Sequence, residues 1–346
     1  MLDNLYRKKF IPILLLCLAA LLCISCGSEK DARQEQKQKP LELRVCSSLG
    51  EDITKLLAED FARQSKLPVT VQYLPAGSLE QRQQFLRSGS FDVWLGGTAE
   101  EYYLAHREKL LEPYLARESY KVPVTLRNKD GHWTSLYLGY IGLISNKEKL
   151  HNFRLYAPET WDELLEPKLA DGIVVPDYNA GGPSYGMLTS IWQMRGKQAA
   201  LAYAAKFNAQ RPQLAAGPAE AADMVYKGQK TVAVVPLAYA LVLEARHPHL
   251  FATVIKDANR NLLTGAALLA KAPNPQGGRQ FLDYLMSDES EALLKSSGYP
   301  YLWHVKNYPD NVGRKELIGR VQVPVDDLGW TSVYKSEVIR QWNEAK

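Results

Sequence analysis

Short apolar strands alternate with amphipathic helices along most of this chain, and that order restricts its fold more than any other feature. Apolar residues at helical spacing over 53–61 predict a helix after the first strand. Compact apolar segments typical of strands lie at 43–46, 69–73, 91–95, 173–175, 232–235 and 266–269. Such alternation predicts an α/β fold with mostly parallel sheets, covered by helices on both faces.

The first 25 residues have the features of a secretory signal peptide. Three positive residues, 7–9, precede an apolar stretch, 10–24, that is shorter than the roughly 20 residues of a membrane span. The sequence Cys23-Ile24-Ser25-Cys26 resembles a bacterial lipobox, which implies cleavage before Cys26 and a lipid on that cysteine. An ordinary signal peptide with a chance cysteine is the alternative.

Residues 26–40 predict a flexible tether behind the lipidated cysteine. The segment is polar and charged after Cys26, and Ala32 is its one apolar residue before Pro40. It cannot bury enough surface to offset the entropy of ordering. Loss of the first 25 residues would also lower the formal net charge from +4 to +2. A chain so near neutrality is not expected to bind nucleic acid.

Nothing in the remaining composition requires a disulfide, a metal or a catalytic group. Cys46 would be the one cysteine left in the folded part, and it ends an apolar run, so we expect a small buried side chain. The pair His247 and His249 flanks a proline and predicts a surface turn. No His-Glu-x-x-His or Walker motif occurs. We therefore predict no catalytic residues, no metal and no cofactor: the protein is not expected to be an enzyme.

Three loops rich in small residues, 47–50, 96–98 and 180–185, follow predicted strands or precede predicted helices. In open α/β sheets such loops hold the ligand. In the third loop Pro183 suits the first turn of a helix, and the glycines before it allow a ligand to approach the backbone. A helix start with free N–H groups favours an anion, although a plain tight turn would have the same sequence.

The order and spacing of several segments resemble the ferric-iron type of bacterial extracellular solute-binding protein, a two-lobed receptor for ABC importers. The similar segments are 45–61, 90–97, 110–114, 158–165, 176–186, 271–276 and 281–287. The resemblance implies a periplasmic-binding-protein-like fold with a ligand cleft between two lobes. It also implies that residues 41–138 form the first part of lobe 1, that 139–265 form lobe 2, and that 266–346 return to lobe 1 and add C-terminal helices.

The iron ligands of that family are not matched here. Leu49-Gly50 stands where a histidine would be expected, Gly96-Gly97-Thr98 stands where a glutamate would be, and Tyr239 remains from a tyrosine pair. The anion-holding loop is kept, so we expect a small organic anion, favouring an organic phosphate or phosphonate. Ferric iron is the alternative. The predicted ligand-binding residues are Ser47, Ser48, Gly97, Thr98, Gly181, Gly182, Ser184, Tyr185 and Tyr239.

The resemblance also predicts partners and location. A lipid-anchored monomer in the periplasm, or on the outer face of the cytoplasmic membrane, would close on its ligand and pass it to an ABC permease. A ligand-sensing subunit for a membrane sensor kinase would use the same fold and remains an alternative. Asp326-Asp327 is expected to be solvated, and Trp94, Trp133 and Trp303 are expected in the core.

Overall fold

The computed structural model describes residues 41–74, 79–308 and 315–345. The predicted signal peptide, the tether and Cys26 lie outside these residues. The strands, in chain order, are β1 Leu43–Ser47, β2 Val69–Tyr73, β3 Val93–Thr98, β4 Leu111–Glu112, β5 Thr134–Gly139, β6 Ile141–Asn146, β7 Ile173–Pro176, β8 Gln213–Ala215, β9 Val232–Pro236, β10 Leu250–Val254, β11 Leu262–Leu269 and β12 Trp303–His304.

The α-helices alternate with these strands over much of the chain. They are α1 Glu51–Ser65, α2 Leu79–Arg87, α3 Ala99–Arg107, α4 Lys147–Phe153, α5 Gly182–Arg195, α6 Lys197–Ala209, α7 Pro218–Tyr226, α8 Leu237–Arg246, α9 Pro275–Leu285, α10 Asp288–Ser296, α11 Lys315–Ile318, α12 Leu328–Val333 and α13 Lys335–Glu344.

The strands form two sheets. The first has the order β12-β5-β11-β3-β1-β2, with β4 also paired to β11, and the second has the order β10-β6-β9-β7-β8. Alternate residues of each strand enter different cores: Val45 and Val93 pack on one face of the first sheet, whereas Cys46 and Trp94 pack on the other. The second sheet is likewise packed on both faces. The predicted α/β fold with helices on both faces of its sheets is confirmed, as is the burial of Cys46.

The prediction of mostly parallel sheets is wrong. Four pairings are parallel, β1 with β2 and β3, and β7 with β8 and β9. The other six are antiparallel. The antiparallel pairings involve the strands at which the chain passes from one sheet to the other. There β5 continues into β6 through Tyr140 alone, and β11 returns to the first sheet. These strands are not joined to their neighbours by the helical crossover that a parallel pair needs.

The two connections between the sheets lie side by side. Asn259, in the return segment between β10 and β11, accepts from the Ile141 N–H at 2.9 Å and donates to the Ile141 carbonyl at 2.9 Å. The chain then leaves the first sheet again, because Val338, Ile339 and Trp342 of α13 pack into a core of the second sheet. The division of the chain at residues 138/139 and 265/266 remains a prediction, although β11 lies wholly in the first sheet.

Two further sequence predictions bear on the fold. Trp94, Trp133 and Trp303 are all buried, as predicted. Among the helices of the described segments, none has the length and apolar character that a membrane crossing needs.

Candidate ligand-binding site

The start of α5 is shaped by two consecutive glycines. After β7, a short 3₁₀ helix, Tyr178–Ala180, leads to Gly181 with φ 78° and ψ −151°, and Gly182 has φ 63°. Residues that carry a side chain rarely adopt these backbone angles, so glycine is needed at both positions. Pro183 then occupies the first turn of the helix, as the sequence predicted. The result is a helix N-terminus whose approach is not covered by side chains of its own loop.

Facing this helix start is the first turn of α3, which follows β3 directly. Thr98 caps the helix: its hydroxyl accepts from the Glu101 N–H, and the Glu101 carboxylate accepts from the Thr98 N–H at 2.9 Å. This reciprocal capping fixes the first turn. It thereby directs the side chain of Glu100, which lies between Ala99 and Glu101 in this turn, towards α5.

A cavity of about 180 Å³ lies between these two helix starts. Thr98 and Glu100 line it from the side of the first sheet, and Gly182 and Pro183 line it from the side of the second. The remaining wall consists of 137–139 at the end of β5, 262–264 at the start of β11, and Pro236, Asn261 and Leu302. A smaller cavity of about 40 Å³ shares Thr98, Glu100 and Gly182 and extends to Lys335. The site is therefore built between the two sheets.

A buried charge network underlies the cavity. The Arg260 guanidinium, in a residue 4% exposed, lies 3.0 Å from a Glu100 carboxylate oxygen and 2.9 Å from Asp326. Burial raises the pKa of Glu100, but Arg260, backbone and Thr98 hydrogen bonds and Lys335 outweigh it, so the net pKa lies below its usual value. Burial and the Glu100 charge raise the pKa of Asp326 despite Arg260. Glu100 is thus held as a carboxylate.

Lys335 supplies a cation at the other edge of the site. Its ammonium donates to the Asn179 carbonyl at 2.8 Å and lies 5.2 Å from the centre of the Tyr185 ring. Burial lowers its pKa, and Glu101 and Glu100 oppose that effect. Because an ammonium has three donors, it can bind the Asn179 carbonyl and a ligand oxygen together.

The structure separates the predicted site residues into two groups. Thr98, Gly181, Gly182 and Tyr185 line one or both cavities. Ser47, Ser48, Gly97, Ser184 and Tyr239 do not line either of them. The Ser47 hydroxyl is buried against that of Thr54, and Gly97 is packed tightly between Trp94 and Tyr102. A ligand-binding role for all nine residues stays a prediction.

Residues 182–186 also fit the Gly-x-Ser-x-Gly pattern of α/β-hydrolase nucleophiles. In those enzymes the serine is exposed at a sharp turn between a strand and a helix. Here Ser184 is fully buried inside the first turn of α5, and its hydroxyl donates to the carbonyls of Gly181 and Asp177 at 3.2 and 3.3 Å. The geometry gives no support to a serine nucleophile at this position.

Sequence reasoning did not identify Glu100, Arg260, Lys335 or Asp326. Asp326 was expected to be solvated, and its side chain is 37% exposed, but its carboxylate also pairs with Arg260, which the sequence did not predict. Glu100 had a detectable signal, since Thr98-x-x-Glu101 is a capping box that places residue 100 in the first turn of a helix. Arg260 and Lys335 had none, because only the tertiary fold brings them to the cavity.

Residues 99–319 match the family of bacterial extracellular solute-binding proteins, and the chain belongs to this family. It is thus a solute-binding protein, as the resemblance predicted. An uncharacterized protein of Haemophilus influenzae is 25% identical over 216 residues, covering 60% of this chain and 61% of that protein. The chain thus matches less than two thirds of that relative.

Two other relatives match over most of their length. Iron uptake protein A1 of Synechocystis is 22% identical over 87% of this chain and 88% of that protein. The periplasmic binding protein AfuA from Actinobacillus pleuropneumoniae, solved with fructose-6-phosphate bound, has a TM-score of 0.76 at 19% identity, over 88% of this chain and 98% of that one. The structural likeness confirms the two-lobed periplasmic binding protein fold.

Proposed function

We propose that this protein binds a small organic anion, an organic phosphate or phosphonate, and passes it to the membrane permease of an ABC importer. The main support for this proposal is that the start of α5 and the Lys335 ammonium face the same small cavity. A helix N-terminus and a lysine both favour an anion. The two groups would hold the anionic end of the ligand together.

The distances at this cavity fit that role. A methyl group built on Gly181 would lie 3.5 Å from Lys335 Nζ, so the ammonium stands directly beside the glycine backbone. A methyl group built on Gly182 would meet no atom within 4 Å, so the space in front of this residue is open. An anionic oxygen in that space could contact the helix start and the ammonium. The fructose-6-phosphate held by AfuA supports the organic phosphate.

Ferric iron is the second candidate, because one relative is named as an iron uptake protein. The described residues, however, include no group of three or more His, Cys, Asp or Glu side chains that could hold a metal. Of the tyrosines at the cavities, Tyr185 donates its hydroxyl to the Thr331 carbonyl at 2.6 Å, and burial raises the pKa of both Tyr185 and Tyr137. The organic anion is therefore the better fit.

The remaining parts of the proposal concern location and delivery. We infer that Cys26 carries a lipid and that residues 26–40 tether a monomeric binding protein to the outer face of a membrane. The lipobox-like sequence before Cys26 supports the anchor. The same fold would serve a ligand-sensing subunit of a sensor kinase. Uptake of the ligand by cells that requires both this protein and an ABC permease would support import, whereas ligand-dependent activation of a sensor kinase would support sensing.

The test of ligand class is a binding panel on purified protein stripped of ligand. The panel contains ferric iron with bicarbonate, inorganic phosphate, alkylphosphonates, sugar phosphates and carboxylates. A ligand at 100 times its Kd adds about 2.7 kcal/mol to the free energy of unfolding, which thermal unfolding detects. We expect stabilisation by at least one organic phosphate or phosphonate. Stabilisation by iron alone would overturn the proposed ligand.

Lys335→Met tests the position of the anionic group. Removing a charged hydrogen-bond donor should weaken binding of the anion by about 10- to 100-fold, measured by titration calorimetry. Lys197→Met is the matched control, since Lys197 also lies over an aromatic ring, that of Trp192 at 5.7 Å, and lines neither cavity. Equal losses in the two variants would show that Lys335 does not contact the ligand.

A further inference from the structure

The larger cavity has no positive side chain among its described lining residues, whereas in the small one Lys335 lies with Glu100 and Glu101. Among the described residues that line the larger cavity, Glu100 is the single charged side chain. Its other polar side chains include Thr98, Asn261 and Thr264, and leucines and prolines supply much of the rest. A second anionic group would be repelled there. The part of the ligand that enters the larger cavity must therefore be neutral or cationic.

Glu100 is built to accept hydrogen bonds in this cavity. Its side chain is 21% exposed, and one carboxylate oxygen lies 3.0 Å from Arg260. A carboxylate offers about four lone-pair sites on two oxygens. Arg260 and the Thr98 hydroxyl occupy part of that capacity. The remainder is available to a donor on the ligand.

Arg260 positions this carboxylate without reaching the ligand itself. It lines neither cavity, and it also bonds to Asp326, Thr189 and Thr331. These partners come from α5, α12 and the segment before α12, so the guanidinium is held from several sides. Its pairing fixes both the direction and the charge of Glu100.

We propose that Glu100 is a specificity-determining residue, which selects organic phosphates or phosphonates that carry a hydroxyl or amine donor on the carbon skeleton. This inference rests on the proposed function, because the anionic end must lie at Lys335 and the start of α5. A ligand without a donor would displace water from the remaining lone pairs of the carboxylate and supply no hydrogen bond in its place, which is costly. Arg260 acts as the positioning residue behind it.

A series of three phosphonates isolates the donor. Propylphosphonate, 2-hydroxyethylphosphonate and 2-aminoethylphosphonate share the anion and the chain length, and they differ at the terminal group. Titration calorimetry on the purified protein should show about 10- to 100-fold tighter binding of at least one donor-bearing compound than of propylphosphonate. The tighter of the two compounds identifies the donor as hydroxyl or ammonium.

Two variants assign the preference to Glu100. Glu100→Gln should remove most of the preference for an ammonium and reduce that for a hydroxyl. Glu101→Gln is the control: Glu101 lines the small cavity but not the larger one, its carboxylate is engaged by the Thr98 N–H and Arg82, and glutamine can still complete the capping box. Its affinity for all three compounds can shift together, but it should keep the preference among them. Thermal unfolding without ligand checks that each variant is folded.

The outcomes separate this inference from the proposed function. Equal binding of the three phosphonates by the wild-type protein would overturn the role of Glu100 and leave anion binding intact. A preference retained in Glu100→Gln would overturn it as well. Failure of all three compounds to bind, together with failure of the organic phosphates in the wider panel, would overturn both. Because equal binding by the wild-type protein is enough to overturn the role of Glu100, the series tests the inference even where a variant does not fold.

Discussion

At the scale of single residues, His304 is a buried histidine whose surroundings accept only its neutral form. Its Nε2 lies 3.1 Å from the Leu285 carbonyl, and its Nδ1 accepts from the Lys306 N–H at 3.3 Å. That pair of contacts requires one proton, on Nε2. Burial lowers the pKa of His304 to about 4. A second ring proton would face the Lys306 N–H.

This arrangement predicts a loss of stability in acid. The unfolded chain takes up a proton near the ordinary pKa of 6.5, whereas the folded one resists until about 4. The contribution of His304 to the free energy of unfolding is therefore complete above pH 6.5. It is lost as the pH falls from 6.5 towards about 4, by up to about 3 kcal/mol. Urea unfolding at several pH values measures it. In His304→Gln this part of the pH dependence should vanish; an unchanged slope would contradict the assignment.

The residues of the site differ in how far sequence could predict them. Gly181 and Gly182 were predicted because adjacent glycines before a proline carry local meaning for the backbone. Arg260 and Lys335 were missed because each lies far along the chain from Gly182 and has no local motif. The hydrophobic periodicity of the sequence does not indicate which distant side chains the tertiary fold brings together. The same holds for the pairing of Asp326 with Arg260.

At the scale of elements, the sequence predicted β1, β2, β3, β7, β9 and β11 and their alternation with helices, but it did not predict β5, β6 or β10, nor the direction of the strands. Buried strands are similarly apolar whether their neighbours run parallel or antiparallel. The six antiparallel pairings follow from the passage of the chain between the sheets at Tyr140 and at 255–261. The helix starts carry local signals in the sequence, because residues such as Thr98 and Asn274 cap the helices that follow them.

The start of α5 permits a matched test. Gly182→Ala and Gly196→Ala both place a side chain at positive φ, 63° and 79°, and neither new methyl group would meet an atom within 4 Å. Both should lower the free energy of unfolding by about 1–2 kcal/mol. Gly182→Ala alone fills the cavity and should weaken ligand binding by about 10-fold. Calorimetry and urea unfolding on both variants measure the two effects. If Gly182→Ala and Gly196→Ala bind the ligand with equal affinity, Gly182 does not lie at the binding site.

At the scale of the whole molecule, Arg260 joins parts of the chain that belong to different sheets. It lies in the connection from β10 to β11, and it bonds to Glu100 at the start of α3 and to Thr189 in α5. The helix α3 contacts the first sheet, and α5 contacts the second. One guanidinium thus links both sheets beside the larger cavity.

Arg260→Met should therefore lower the free energy of unfolding by about 3 kcal/mol, since Glu100 loses a buried partner and the more exposed Asp326 adds little. Without Arg260 the pKa of Glu100 and of Asp326 in the folded state should rise, so the loss should be largest near neutral pH and smaller in acid. Arg195→Met is the control: Arg195 also pairs with two aspartates, Asp162 and Asp257, but its side chain is 24% exposed, and about 1 kcal/mol is expected. Urea unfolding of both variants and the wild type, at neutral and acidic pH, measures the difference. A loss in Arg260→Met that is no greater than in Arg195→Met, or one that grows in acid, would show that the network does not hold the sheets together.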